Sequence, residues 1–319
     1  MLSTVDVSGD SICVIGNINR DIKMNPLPVG DYLFRDGETS TGSVSETIGG
    51  GGANSAFTAV ALGAKTSFLG KIGTDGLGRR LDRTLAQHGI IARLARDKSQ
   101  PSGTSIALSF DNGQRHFISC LPANRALTFA DLDLSILRGQ GHLLRADVWF
   151  SEPMLYGGNK ELFEQARQLA VPISLDLNWD PHWGEASAGN IQARKQAVRD
   201  VLPWVALAHG NARELMMFSD AETLDTALRR ITEWGAGGIV VHLGEKGAGY
   251  YSQGVLEIEP PAAVRSMVNT AGTGDVLSVC MMLLHQHPEM IIKNRLRLSN
   301  DVVGEFIEGQ RQFIPNLAD

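Results

Sequence analysis

From about residue 146 onward, short apolar runs and longer amphipathic stretches take turns along the chain, and few folds accept that order. ADVWFS (146–151), VPISLDLN (171–178), WVALAH (204–209) and GIVVHLG (238–244) predict short buried strands, as does SICVIGNI (11–18) near the start. Between them, NKELFEQARQLA (159–170) and AETLDTALRRITEWG (221–235) have helical spacing, the second with Leu224, Leu228 and Ile231 on one stripe. Strands alternating with helices favour right-handed βαβ units, hence an α/β fold with a doubly wound, mostly parallel sheet flanked by helices. At 319 residues and 43% hydrophobic content, the chain can bury such a sheet in one large domain with a small appendage.

The first third reads differently. TSIALSFDNGQRHFIS (104–119) alternates apolar and polar on both sides of an Asn-Gly turn, which predicts a hairpin, and DYLFRDGETSTGSVSETI (31–48) reads as extended and turn-rich. These stretches predict a small antiparallel sheet, a candidate lid of residues 17–48 and 102–120, standing off a core of 1–16, 49–101 and 121–319. Its open edge could pair with another copy, so a homodimer through this sheet is an expectation.

A net charge of −6 argues against a nucleic-acid partner and makes a small molecule the default ligand. Cys13, Cys120 and Cys280 are odd in number and far apart, which suggests neither a disulfide framework nor a metal cluster. The two histidines of HQH (285–287) lie two apart and share no helix face, so they predict no zinc site. No apolar run approaches a membrane span and no basic segment leads into a signal core, so the expectation is a cytoplasmic protein without a membrane partner.

Two glycine-rich stretches carry the chemistry. In NTAGTGDVLSVCMMLL (269–284), Gly272, Thr273 and Gly274 can turn the backbone so that several N–H groups converge where a buried helix begins, a place that attracts anions. Asp275 is itself negative there. It either caps the helix or serves a reaction that needs a base beside an anion site, as phosphoryl transfer does. In TIGGGGANSAFTAVALGAKTSFLGKIG (47–73), four glycines precede Asn54 and a small-residue helix. The run permits either close approach of a ligand to the backbone or close packing of helix on sheet, and it is neither a Walker loop nor a dinucleotide fingerprint.

Together the two stretches resemble the paired signatures of the ribokinase-like, or PfkB, carbohydrate kinases. NARE (211–214) resembles that family's N-x-x-E element, and HLGEKG (242–247) its nucleotide-binding strand and turn. The resemblance implies a ribokinase-like fold whose small sheet closes over the sugar. It implies an ATP- and Mg²⁺-dependent kinase acting on a hydroxymethyl group of a small sugar or sugar-like alcohol. Asp275 would be the general base, and the backbone of Gly272, Thr273 and Gly274 the anion hole. Asn19, Asp21, Gly50, Gly51, Asn54 and Glu152 would face the sugar. Asn211, Glu214, His242, Gly244 and Gly247 would face the nucleotide, with Glu214 reaching Mg²⁺ through water. A nucleoside kinase of the same family, or a sugar-binding regulator without turnover, is the alternative.

The chain also departs from the pattern. Asn269 stands where an acid is common, which argues against a monovalent-cation site, and Gly51 stands where ribokinase carries lysine. DLNWDPHW (176–183) resembles an element of fructokinase-like relatives, but Asp180 occupies the place of their arginine. His242 replaces a usual threonine, and Cys280 a usual small residue. Trp179 and Trp183, four apart, either line a pocket or pack in the core.

Overall fold

In a computed structural model, residues 5–112, 114–184, 186–268 and 271–317 can be described. The first half of the chain runs β1 (Ser11–Ile15), β2 (Asn19–Met24), β3 (Val44–Gly49), α1 (Gly51–Ala61), β4 (Lys65–Gly73), α2 (Gly76–Gln87) and β5 (Ile91–Asp97). It continues through β6 (Gly103–Ser109), β7 (Arg115–Cys120), a one-turn α3 (Pro122–Arg125), β8 (His142–Arg145) and α4 (Asn159–Gln168). The second half adds β9 (Ile173–Asp176), α5 (Ala188–Arg199), β10 (Leu207–Asn211), α6 (Ala212–Ser219), α7 (Leu224–Glu233) and β11 (Gly238–His242). It closes with β12 (Ala248–Ser252), β13 (Val255–Glu259), α8 (Thr273–His285) and α9 (Ile292–Ile307).

Strands with apolar residues on both faces need cover on both, and they form the centre of a nine-stranded sheet in the order β13-β12-β11-β10-β9-β8-β1-β4-β5. Pairing is parallel from β11 through to β5, and β12 and β13 are added antiparallel at one edge. One face packs under Trp149, Phe163 and Phe218, and the other under α1 and α8. Residues Val276 to Leu284 of α8 are all buried, as expected of a helix enclosed by a sheet and by its neighbours α1 and α9. No helix among the described residues is long and apolar enough to cross a membrane.

The second sheet has the order β3-β2-β6-β7. The 104–119 hairpin forms as β6 and β7, paired antiparallel from Thr104↔Cys120 to Ser109↔Arg115. The sheet is not wholly antiparallel, because β2 and β6 come from separate parts of the chain and pair in parallel. The stretch 31–48 is only partly extended: residues Asp31–Phe34 form a 3₁₀ turn and the strand begins at Val44.

One predicted strand is misplaced. Residues 146–151 form the loop after a strand, and the strand itself is HLLR (142–145), all four residues buried. A polar residue at each end hides it in the sequence. Arg145 is accommodated by Asn159 Oδ1 at 2.8 Å and by the carbonyls of Ile15 and Ala146. His142 bonds Ser174 Oγ at 2.8 Å, and His209 meets the same hydroxyl at 3.1 Å.

These histidines belong to a polar seam between the large sheet and α8, which continues to His285 at the far end of that helix, 5.6 Å from His142 between ring centroids. Burial pulls the His142 pKa down to about 3, and that of His209 well below the usual histidine range. Below pH 6.5 the unfolded chain takes up a proton at residue 142 that the folded chain refuses, so this residue opposes folding as the pH falls from about 6.5 towards 3. Relative to His142→Asn, wild type should therefore lose about 1.4 kcal/mol of stability per pH unit below 6.5. Denaturant unfolding of both proteins at pH 7, 6 and 5 measures this, and a constant difference contradicts it.

Candidate active site

Open α/β sheets collect ligands beyond the carboxyl ends of their strands, and there this chain gathers acids from separate elements. Asp147 follows β8, Asp176 ends β9, Glu214 sits in the first turn of α6 and Asp275 in the first turn of α8. Asp21 comes from β2 of the small sheet.

The two glycine-rich stretches meet here. Asn54, in α1, donates through Nδ2 to Asp275 Oδ2 at 3.0 Å, across 221 residues of chain. The helix starts themselves differ. At α1, Gly52 N–H donates to Asp147 Oδ2 at 2.8 Å and Gly51 N–H to Oδ1 at 3.3 Å, and Asn17 N–H adds a further bond at 2.8 Å. The acceptor at that start is thus part of the protein. Gly52 is also a packing glycine, since a Cβ there would lie 2.7 Å from Gly16 Cα. At α8, Gly272 adopts φ +86° as the cap with no side chain bonded to the first turn. Among the described residues, nothing accepts from the amides of Gly272, Thr273 and Gly274. Asp275 does not cap its own helix: its one described bond is the one from Asn54.

Burial, with Asp147, Glu214 and Asp21 adding to it and the Asn54 bond opposing it, pushes the half-buried Asp275 carboxyl up to about 7. Asp21 rises to about 6, mainly through burial; Lys23 and Asn19 oppose the shift. Burial raises Asp176 well above the carboxylate range, reinforced by Glu214, Asp275 and Asp147.

Asn19 and Asp21 lie on one face of β2, joined by Asn19 Nδ2 to Asp21 Oδ1 at 2.8 Å, and Asn19 also reaches Ser105 at 3.4 Å. Gly50, at φ +95°, passes so close that a Cβ would lie 3.0 Å from Asn19 Oδ1. Asn211 and Glu214 form a reciprocal capping box at α6: Glu214 N–H donates to Asn211 Oδ1 at 2.9 Å and Asn211 N–H to Glu214 Oε2 at 2.8 Å. His242, ending β11, approaches Ser278 of α8 at 3.2 Å, and burial pulls its pKa down to about 4, so it is a neutral ring at pH 7. Gly244 and Gly247 shape the turn after β11, and a Cβ on Gly247 would lie 2.1 Å from the Glu259 carbonyl.

Glu152 is not drawn into the cluster. It is exposed at the start of the helical segment that follows the β8 loop, and its contact is Arg194, at 3.5 Å. Asn269 lies outside the described residues. Asp180 is fully buried against Arg194, with bonds of 2.6 and 3.1 Å, so the acid at this position is a structural partner of α5. Sequence reasoning passed over Asp147, because 146–151 read as a strand, and Asp176, because it read as one letter of a resemblance. Each is an acid closing an apolar run, a signal that a strand's carboxyl end carries.

The layered sheet defines an α/β architecture with acids gathered beyond its strand ends, and comparison with known proteins resolves its class. Residues 10–281 match the pfkB family carbohydrate kinases, and the chain belongs to that family. It is 26% identical over 292 residues to a ribokinase of Arabidopsis thaliana, covering 86% of this chain and 70% of that protein. A fructokinase of Vibrio alginolyticus is 25% identical over 248 residues, 76% of this chain and 77% of its own. Among solved structures, an E. coli protein of the ribokinase type in complex with ATP and Mg²⁺ superposes with a TM-score of 0.76 at 20% identity, covering 95% of this chain and 94% of that one. The fold is that of the ribokinase-like kinases.

Because the Asn54 bond favours the ionised carboxylate, Asn54→Ala should raise the Asp275 pKa above about 7. Carboxyl NMR titration of the two proteins checks this, and an unchanged or lowered midpoint contradicts it.

Proposed function

We propose that this sugar kinase transfers the γ-phosphoryl group of ATP to a hydroxymethyl group of a small sugar or sugar-like alcohol. In this reading Asp275 takes the hydroxyl proton and the amides of Gly272, Thr273 and Gly274 hold the charge of the migrating group. The supporting observation is the contrast between the helix starts: at α1 the amides already hold Asp147, whereas at α8 they have no acceptor among the described residues and lie beside a carboxyl with a pKa near 7. Such a carboxyl can accept a proton from an attacking alcohol and release it again near neutrality.

Asn19, Asp21 and Asn54 are the proposed hydroxyl-binding side chains, with Gly50 opposite. Gly51 serves the site through Asp147, and Glu152 enters only if substrate draws it from Arg194. Asn211, Glu214, His242, Gly244 and Gly247 line the proposed nucleotide side. Among the described residues no cage of three ligands could hold a metal. That suits Mg²⁺, which keeps most of its waters and takes one or two carboxylates plus phosphate oxygens. Burial raises the pKa of both Asp176 and Glu214, with Glu214 adding to the shift of Asp176, so these are carboxyls whose ionised form a dication would favour, and Mg²⁺ there would offset phosphate charge.

The small sheet, residues 17–48 and 102–120, is the proposed lid over the rest of the chain, excluding water in competition with the alcohol. Its outer face carries Ile22, Met24, Ile106 and Leu108, with Val44 and Ile118 61% and 55% exposed, and supports a homodimer through the lid. Three free cysteines fit a reducing cytoplasm.

Asp275→Asn should keep ATP binding while lowering kcat by about 10²–10⁴-fold, and wild-type kcat/KM should rise with pH through about 7. An acceptor panel of sugars and nucleosides, read by ADP release with ATP and Mg²⁺, tests the reaction. Turnover of nucleosides alone would make the chain a nucleoside kinase, and tight sugar binding with no ADP from any acceptor would make it a regulator. If the lid face joins two copies, Ile118→Glu should shift the sedimentation coefficient of a dimer to that of a monomer; an unchanged coefficient contradicts the dimer.

A further inference from the structure

Arg213 occupies the second position of α6, between the capping pair Asn211 and Glu214. A cation in the first turn of a helix faces the positive end of its dipole, an unfavourable place without a compensating partner. Within the protein that partner is an aromatic ring: the guanidinium lies over Trp179, 4.4 Å from the ring centroid. Trp179 is itself fixed. It stands edge-on to Trp183 at 4.9 Å between centroids, and its backbone N–H is bonded to Glu214. The charge is thus held at an exposed position beside the acidic cluster, where it counters the upward shift of the Glu214 pKa.

The neighbouring arginines have other work. Arg145 is enclosed by Asn159 and two carbonyls, and Arg194 by Asp180 and the Trp149 carbonyl. A polyphosphate entering this end of the site meets Asp176, Glu214 and Asp275, so it needs positive charge from the protein as well as from a metal ion.

We propose that Arg213, stacked on Trp179, is a binding residue for the β- and γ-phosphates of the nucleotide. The inference rests on the kinase reading above. Stacking fixes the plane of a five-donor fork before the ligand arrives, so little side-chain freedom is lost on binding, and lysine could not reproduce either feature.

The test is calorimetric titration of AMP, ADP and ATP, each with Mg²⁺ and without acceptor, into wild type, Arg213→Gln and Arg213→Lys. Arg213→Gln should bind ADP and ATP roughly tenfold more weakly and AMP almost as wild type does. Arg213→Lys should recover part of the loss. An equal loss for all three nucleotides, or no loss for ADP and ATP, overturns the proposal while leaving the kinase reading intact. A wild-type protein that binds no ATP overturns both. The side chain is exposed, so the variants should keep the wild-type melting temperature, and a loss of phosphate-dependent affinity at unchanged melting temperature excludes a purely structural role.

Discussion

The burial of several carboxyl groups in one region is the constraint around which the site is built. Asp21, Asp147, Asp176, Glu214 and Asp275 reach one region from different elements, and burial raises every one of them. What distinguishes them is the supply of donors. Asp147 receives three backbone amides and lies near Arg145, and Glu214 is closed into a capping box. Asp275 has one described donor, the amide of Asn54. A carboxyl with few donors, partial solvent contact and acidic neighbours is poised to exchange a proton near neutrality, whereas one that accepts several hydrogen bonds has its ionised form favoured by them.

The same contrast explains how two glycine-rich helix starts can look alike in sequence and act differently. At α1 the glycines bring helix and strand together, Gly52 against Gly16, and Asp147 fills the space in front of the amides. Asp147 holds φ +53°, a left-handed conformation that a non-glycine residue adopts only where its surroundings hold it. Its three backbone bonds are such surroundings. At α8 no acceptor among the described residues takes that place. Which start is open depends on a residue near 147, some 95 positions from one motif and far from the other, and no local pattern reveals it.

Elements defined by continuous apolar runs were legible from the chain alone. SICVIGNI and GIVVHLG form the strands they predict, and α4 and α7 fall within their predicted spans. The failure at 142–151 has a physical cause: HLLR puts two polar side chains in the core, where Ser174 and Asn159 satisfy them from other elements. Pairing partners of that kind are tertiary facts. The parallel β2–β6 pairing is another, since nothing in either strand names its neighbour. At the site, the residue types were legible, but their bonds were not: Asn54 to Asp275, Glu214 to Asn211 and Asp180 to Arg194 join groups whose roles the fold alone distributes.

The departures from the family pattern become coherent once neighbours are considered. Asp180 does not leave an acid facing the ligand, because Arg194 takes both of its oxygens inside the protein. Next to it, the partly buried Trp179 carries the guanidinium of Arg213 beside Glu214. His242 is bulkier than the residue it replaces, yet the helix opposite offers a hydroxyl at Ser278 and a missing side chain at Gly274, where a Cβ would lie 3.0 Å from His242 Nδ1. Gly274 is therefore required twice, once for the backbone that approaches the proposed phosphoryl position and once for the ring behind it. Because burial keeps that ring neutral, it fills the wall of the site without adding a charge to the balance between the carboxyl groups and the incoming anion.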